Sequence, residues 1–310
     1  MMSNVDEYLS VRRSAIDRAL DRYFKKQGRR GERIWEAMRY GVLSGGKRIR
    51  SILLLAAGEL FGGKRRDLMP IACAVEMTHA YSLIHDDLPV LDEDDMRRGK
   101  PTVHKVFGDD LALLAGDGLL TEAFAIMASP GLVKSFSSEL AIQFVRKLSY
   151  AAGAVGLVGG QAADIEAEKQ NADLKTVEDI HVRKTAALFL ASVRMGARAG
   201  GATGADLKRI SRYGESLGLA FQIADDLLDQ QGDSCGTCAE SGNKEFNKAT
   251  YPSVVGIDGA KNHLQKLLVQ CVEPLSVYGA TGQPLRGIAH YVVARVLGEE
   301  ISLKTQELRA

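Results

Sequence analysis

The sequence predicts an all-α fold, a single domain spanning residues 1–310 with roughly ten helices around a central cavity. Three observations point there. Apolar residues return at the 3.6-residue period along nearly the whole chain, and no segment sustains the alternation of a strand. Glycine or proline punctuates the pattern at Gly28 to Gly31, Gly62-Gly63, Pro70, Pro130-Gly131, Gly159-Gly160, Gly200-Gly201, Gly232 and Gly279. With 45% hydrophobic residues, the 310-residue chain can bury a substantial core.

The first helix is amphipathic: Leu9, Ile16, Leu20 and Tyr23 recur at helical spacing among Asp6, Glu7, Asp17 and Asp21, unlike a targeting peptide. No apolar run reaches the roughly 18 positions of a membrane span. A net charge of +1 gives no basic excess for nucleic acid, so the electrostatics must be local. Four cysteines are too few for a disulfide scaffold of this size, and a reducing cytoplasm is expected.

Next along the chain, Gly45-Gly46-Lys47-Arg48-Ile49-Arg50 sets permissive glycines before three cations, a loop-to-helix arrangement suited to gripping an anion. A long apolar helix follows, on which Glu76, His79, Leu83 and Asp86 share a face; Ser82 lies one turn before Asp86, and Tyr81 flanks it. Pro89 should end that helix soon after Asp87, leaving Asp92 to approach from a distorted turn. Glu93 and Asp94 read as a solvated turn and are left out of the metal ligands. Arg97-Arg98-Gly99-Lys100 follows directly. Gly116-Asp117 and Asp164 read as packing and helix-capping positions.

Arg183-Lys184-Thr185 brings further cations, and a second apolar helix ends in Asp225-Asp226 with Asp229. Asp225 and Asp229 stand i, i+4, and Gln222 lies on the same stripe. An unpaired ionised carboxylate is costly to bury, so two clusters of three acids at the ends of apolar helices imply cations between them or water around them. Hard oxygen donors facing each other suit Mg²⁺, which bridges carboxylates to substrate phosphates. Arginine forks and lysine charges supply the complementary grip on oxyanions.

In these segments the chain resembles the trans-type prenyl diphosphate synthases, most closely the bacterial farnesyl type. The likeness runs through YGVLSGGKRIR (40–50), EMTHAYSLIHDDLPVLDEDDMRRGKPTVH (76–104), LAGDGLLTEAF (114–124), GGQAADIEAE (159–168), His181 to Thr185, FQIADDLLD (221–229) and KATYP (248–252). It implies the isoprenoid-synthase fold, a homodimer, and condensation of isopentenyl diphosphate with an allylic diphosphate by ionisation, condensation and proton loss.

By the same resemblance, Asp86, Asp92 and Asp225 are direct Mg²⁺ ligands, Asp87, Asp226 and Asp229 support them, and about three Mg²⁺ surround the allylic diphosphate. Arg97, Lys184 and Lys248 contact that diphosphate; Lys47, Arg50, His79 and Arg98 form the isopentenyl diphosphate site. Thr185 and Gln222 stabilise the allylic cation through oxygen dipoles, and the released diphosphate takes the proton. An aromatic five positions before Asp86, here Tyr81, closes the product cavity at the farnesyl length; the alternative product is geranylgeranyl diphosphate.

Two features depart from the family pattern. The usual Gly-Lys pair after the second cluster is missing, with Ala239 near its place and Lys244 a possible substitute. Cys235 and Cys238 are read as ordinary loop thiols, with a redox-sensitive pair as the alternative. A terpene cyclase is disfavoured by Lys47, Arg50 and His79, and a non-catalytic partner subunit by two complete acid clusters. The tail from Leu297 to Ala310 and the preferred allylic starter carry no reading.

Overall fold

The computed structural model describes residues 2–27, 32–167, 172–230 and 250–298. Lys244, Lys248, Cys235, Cys238, Ala239 and the tail beyond residue 298 lie outside those residues, so the expectations placed on them stay expectations.

The described chain is helical almost throughout, in the order α1 (Met2–Gln27), α2 (Arg33–Leu43), α3 (Ile49–Leu60) and α4 (Arg65–Asp86), then α5 (Val103–Phe107), α6 (Asp109–Met127), α7 (Pro130–Phe136) and α8 (Ser138–Ala152). After these come α9 (Leu157–Ala167), α10 (Leu174–Ile180), a π-helical turn (His181–Ala186), α11 (Ala187–Ala199), α12 (Gly204–Gln230), α13 (Tyr251–Val272), a 3₁₀ segment (Glu273–Gly282) and α14 (Gln283–Leu297). Fourteen α-helices exceed the roughly ten expected because short pieces such as α5, α7 and α10 are too brief to show periodicity. One antiparallel pair of two-residue strands, β1 (Met96–Arg97) and β2 (Lys100–Pro101), closes the turn at Gly99.

Helices α3 and α4 are the centre of the fold. Ile52 to Ala57 of α3 are all buried, as are Ile71 to Thr78 of α4, so neither helix shows a polar stripe before its functional end. Leu9, Ile16 and Leu20 of α1 pack onto this core as their spacing predicts. Close approach of α3 to α11 depends on Gly196, where a Cβ would sit 2.1 Å from the Leu54 carbonyl oxygen. Gly116 likewise admits the His85 ring between α4 and α6, its absent Cβ lying 2.1 Å from Nε2, which bears out the packing role expected of it. The result is a packed frame with the ends of α4 and α12 opening onto one cavity.

Candidate active site

Asp86, the last residue of α4, and Asp225 of α12 line a single cavity of about 220 Å³, so each acid cluster sends one carboxylate to the same space. α4 stops there through tight turns: the Asp87 N–H bonds the Leu83 carbonyl, the Leu88 N–H bonds that of His85, and Pro89 has no N–H to continue. The chain then folds back until the Asp92 N–H donates to the Asp86 carbonyl at 2.9 Å, the distorted turn anticipated from Pro89. Asp87 is buried and accepts a 2.5 Å hydrogen bond from Arg97 Nε. Burial pushes its carboxyl up to about 7 even with that guanidinium beside it. Asp94 is buried as well and accepts from Arg97 at 3.1 Å. The solvated turn expected for Glu93-Asp94 holds only for Glu93, because the Arg97 fork needs a second carboxylate below it.

Cations occupy the facing wall. Lys47, Arg50, Arg97, Arg98 and Lys184 all line the cavity with His79. The Arg50 guanidinium lies 4.8 Å from the Phe189 ring centre and 5.9 Å from that of Phe221. Its NH1 donates to His79 Nε2 at 3.2 Å. Burial draws Arg50 and Arg98 down to about 10, which leaves both charged at neutral pH. Gly46 makes room for this wall: it holds φ +125°, and a Cβ would lie 2.5 Å from an Arg98 terminal nitrogen. Arg98 donates to the Gly45 carbonyl, fastening the glycine loop to the segment after the first acid cluster.

Arg48 departs from its expected part in the cationic trio. Although it borders the cavity, its side chain is buried against Glu76 (3.1 Å), Asp17 (2.9 Å) and the Val42 carbonyl (2.6 Å), and it caps α3 in the left-handed region at φ 56°. It anchors the loop. Lys47 and Arg50 on either side line the cavity.

Lys184 and Thr185 ride on the π-helical turn, whose wider backbone comes close to α9. Gly160 permits this approach, since a Cβ there would be 2.2 Å from the Lys184 amide nitrogen. Lys184 Nζ sits 2.6 Å from Asp164 Oδ2. Asp164 lies inside α9, so it is the counter-ion of a cavity lysine and not the helix cap its sequence context suggested. Thr185 donates to Gln222 Oε1 at 2.8 Å, and Gln222 Nε2 donates to Asp226 Oδ1 at 2.9 Å. Asp226 also accepts the Tyr251 N–H at 2.8 Å; burial raises its carboxyl to about 6 against both bonds.

Sequence reasoning passed over two further cavity residues, Gln161 and Arg295, the latter 3.4 Å from Asp225. Both carry ordinary polar side chains on helical stripes and gave no signal. Tyr81 is buried and does not line the polar cavity; its hydroxyl donates to the Ala152 carbonyl at 3.4 Å and its ring meets His85 edge-on. Asp229 is exposed at the end of α12.

The donor set fits Mg²⁺. Carboxylates from two helices share a cavity whose other wall is cationic, and desolvation raises Asp225 as well as Asp87 and Asp226, a crowding that a hard divalent ion relieves. Asp86, Asp92 and Asp225 could bind it directly. Asp87 and Asp226, already committed to Arg97, Gln222 and Tyr251, could act through water. Among the described residues no three acids or histidines converge to enclose an ion alone.

Comparison with known proteins agrees with this arrangement. Residues 32–277 match the polyprenyl synthetase family. Farnesyl diphosphate synthase of Bacillus subtilis is 42% identical over 265 residues, covering 85% of this chain and 89% of that one. A chloroplastic geranylgeranyl pyrophosphate synthase of Catharanthus roseus is 43% identical over 267 residues, covering 85% and 74%. The crystal structure of an FPP/GFPP synthase from Zymomonas mobilis superposes with a TM-score of 0.85 at 37% identity, over 95% of this chain and 100% of that one. With aspartates of both clusters in one cavity, a cationic wall and relatives of this kind over most of its length, the chain belongs to the polyprenyl synthetase family.

Proposed function

We propose that the protein joins isopentenyl diphosphate to dimethylallyl and then geranyl diphosphate to give (E,E)-farnesyl diphosphate. The family is one of prenyltransferases and is in general Mg²⁺-dependent. Product length is the finer question, because relatives named for farnesyl and geranylgeranyl products stand at 42% and 43% identity. The observation that carries the farnesyl reading is Tyr81: a buried aromatic on the same helix as Asp86, braced on α8 and His85, where a growing chain would meet a wall.

In this reading, bound Mg²⁺ supplies Lewis-acid neutralisation of the leaving diphosphate. Arg97 and Lys184, with Lys248, hold the allylic diphosphate, while Lys47, Arg50, Arg98 and His79 hold isopentenyl diphosphate. Arg50 rests on the Phe189 ring, with Phe221 tilted beside it, and this contact limits the rotamer freedom that binding would otherwise take away. Asp226 takes both the Gln222 amide N–H and the Tyr251 N–H, which turns the Gln222 oxygen toward Thr185 and the cavity. These oxygen dipoles stabilise positive charge on the allyl carbon without acting as nucleophiles. The departing diphosphate accepts the proton. We further propose a homodimer as the active unit, supported by exposed Leu113, Leu114, Ile142 and Tyr150 on the adjacent helices α6 and α8.

Incubation of purified protein with Mg²⁺, isopentenyl diphosphate and each allylic starter, with products sized by chromatography, tests the activity. A ladder ending at farnesyl diphosphate is expected, and one ending at geranylgeranyl diphosphate would overturn the length assignment. Light scattering tests the dimer.

A further inference from the structure

Tyr251, the first residue of α13, touches both halves of the site without lining the cavity. Its backbone N–H donates to Asp226 Oδ2 at 2.8 Å. Its ring stacks on His181, the residue that opens the π-helical turn of Lys184 and Thr185, with centroids 6.3 Å apart and planes 26° apart. His181 Nε2 is itself 3.4 Å from the same Asp226 oxygen, and its Nδ1 is buried with no partner among the described residues.

The phenol fixes this placement. Its oxygen is 3.1 Å from Glu178 Oε1 on α10 and also bonded to His263 Nδ1, twelve residues along α13. A tyrosine hydroxyl has one proton and a carboxylate can only accept, so the bonds are all satisfied in one direction: His263 Nδ1–H donates to Tyr251, and Tyr251 donates to Glu178. The capping box of Thr250 and Ser253 secures the same helix end. α10, which leads directly into the π-helical turn, is thereby tied to the helix terminus that holds Asp226.

We propose that Tyr251 is a positioning residue for prenyl transfer, its hydroxyl holding the start of α13 against Glu178 so that Asp226 keeps Gln222 and the second acid cluster aligned for Mg²⁺–diphosphate. This deepens the function proposed above and rests on it. The chain of contacts runs Glu178, Tyr251, Asp226, Gln222, Thr185, so losing the phenol loosens the second cluster and leaves the Lys47–Arg50 wall unaltered.

The test compares wild type, Tyr251→Phe and Glu178→Gln. Phenylalanine keeps the ring and the N–H but not the hydroxyl; glutamine keeps an acceptor for it. Mg²⁺-dependent binding of pyrophosphate is measured by calorimetry, alongside kcat and the separate KM values. For Tyr251→Phe the expected result is pyrophosphate affinity in Mg²⁺ lower by about 5- to 10-fold, the scale of one lost hydrogen bond. Its kcat should fall similarly, with the isopentenyl diphosphate KM within about twofold of wild type. Glu178→Gln should recover wild-type affinity to within about twofold. Unchanged pyrophosphate affinity in Tyr251→Phe, or a loss of melting temperature with the remaining fold binding normally, would overturn the positioning role. A wild-type protein that neither binds pyrophosphate nor turns over would instead overturn the proposed function.

Discussion

Lys184 Nζ and Asp164 Oδ2 lie 2.6 Å apart at the edge of the cavity, a mostly buried ion pair linking the π-helical turn to α9. Asp164 therefore serves as the resident anion of a lysine that also lines the cavity, where the proposed function puts a diphosphate. Removing one partner of such a pair strands the other charge. Asp164→Ala should lower the stability of the ligand-free protein by about 2 kcal/mol, less than a fully buried pair because both groups keep some contact with water. Mg²⁺–pyrophosphate supplies the missing anion, so it should raise the melting temperature more in Asp164→Ala than in wild type. Equal shifts would show that Lys184 does not meet the diphosphate.

The backbone of the same turn depends on Gly160, whose absent Cβ leaves the Lys184 amide room that 2.2 Å would deny. Since the obstructing atoms are main chain, they cannot swing aside. Gly160→Ala should cost about 1–3 kcal/mol in chemical denaturation and shift Lys184 and Thr185 enough to lower kcat by about tenfold or more. Gly62, which has nothing within 4 Å of its would-be Cβ, offers a comparison for backbone strain alone.

The all-helical class, the aspartate pairs and the cavity-lining Lys47, Arg50 and His79 were legible in the sequence because the acids, Arg50 and His79 interrupt apolar helical runs and Lys47 follows the paired glycines of the loop before α3. Arg48, Asp94 and Asp164 were not. Their chemistry is that of any surface charge, and what distinguishes them is a partner 20 or more residues away, as Glu76 is for Arg48 and Lys184 for Asp164, or a turn that pulls the chain inward, as for Asp94. Arg97 shows the intermediate case. Its place beside the first cluster suggested a phosphate contact, whereas its bond to Asp87 appears only once the turn after Asp86 has folded. The π-helical turn had no periodic signature, being one extra residue inside a continuous helical pattern.

His79 carries a pH dependence that geometry already requires. Arg50 donates to its Nε2, so the folded protein holds the ring neutral; burial first, and then the surrounding arginines, depress its pKa well below 6.5. The unfolded chain thus binds a proton that the folded one refuses. This contribution to stability is complete above pH 6.5 and is lost as pH falls below it toward the folded-state pKa. Wild type should lose stability on acidification more steeply than His79→Gln, by up to about 1.4 kcal/mol per pH unit for one proton. His181 and His263, also depressed by burial, remain in both proteins, so the difference isolates His79. Parallel denaturation curves between pH 6.5 and 5 would contradict the assignment.

The proposed farnesyl length rests on Tyr81. The ring is buried on α4 between His85 and the end of α8, and its hydroxyl reaches the Ala152 carbonyl at 3.4 Å, so it is held from both ends. Tyr81→Ala removes this wall at a stability cost of about 3 kcal/mol, as for other buried aromatics, and opens space that the growing prenyl chain can fill. With excess isopentenyl diphosphate the variant should make geranylgeranyl diphosphate as its main product. Tyr81→Phe keeps the ring and gives up only the long hydrogen bond, about 1 kcal/mol or less, and should stop at farnesyl diphosphate like wild type. The pair separates wall from anchor: lengthening in both variants would assign the limit to the hydroxyl and its hold on Ala152, and farnesyl from both would place the limit elsewhere in the cavity. Lengthening in the alanine variant alone is the outcome the buried ring requires.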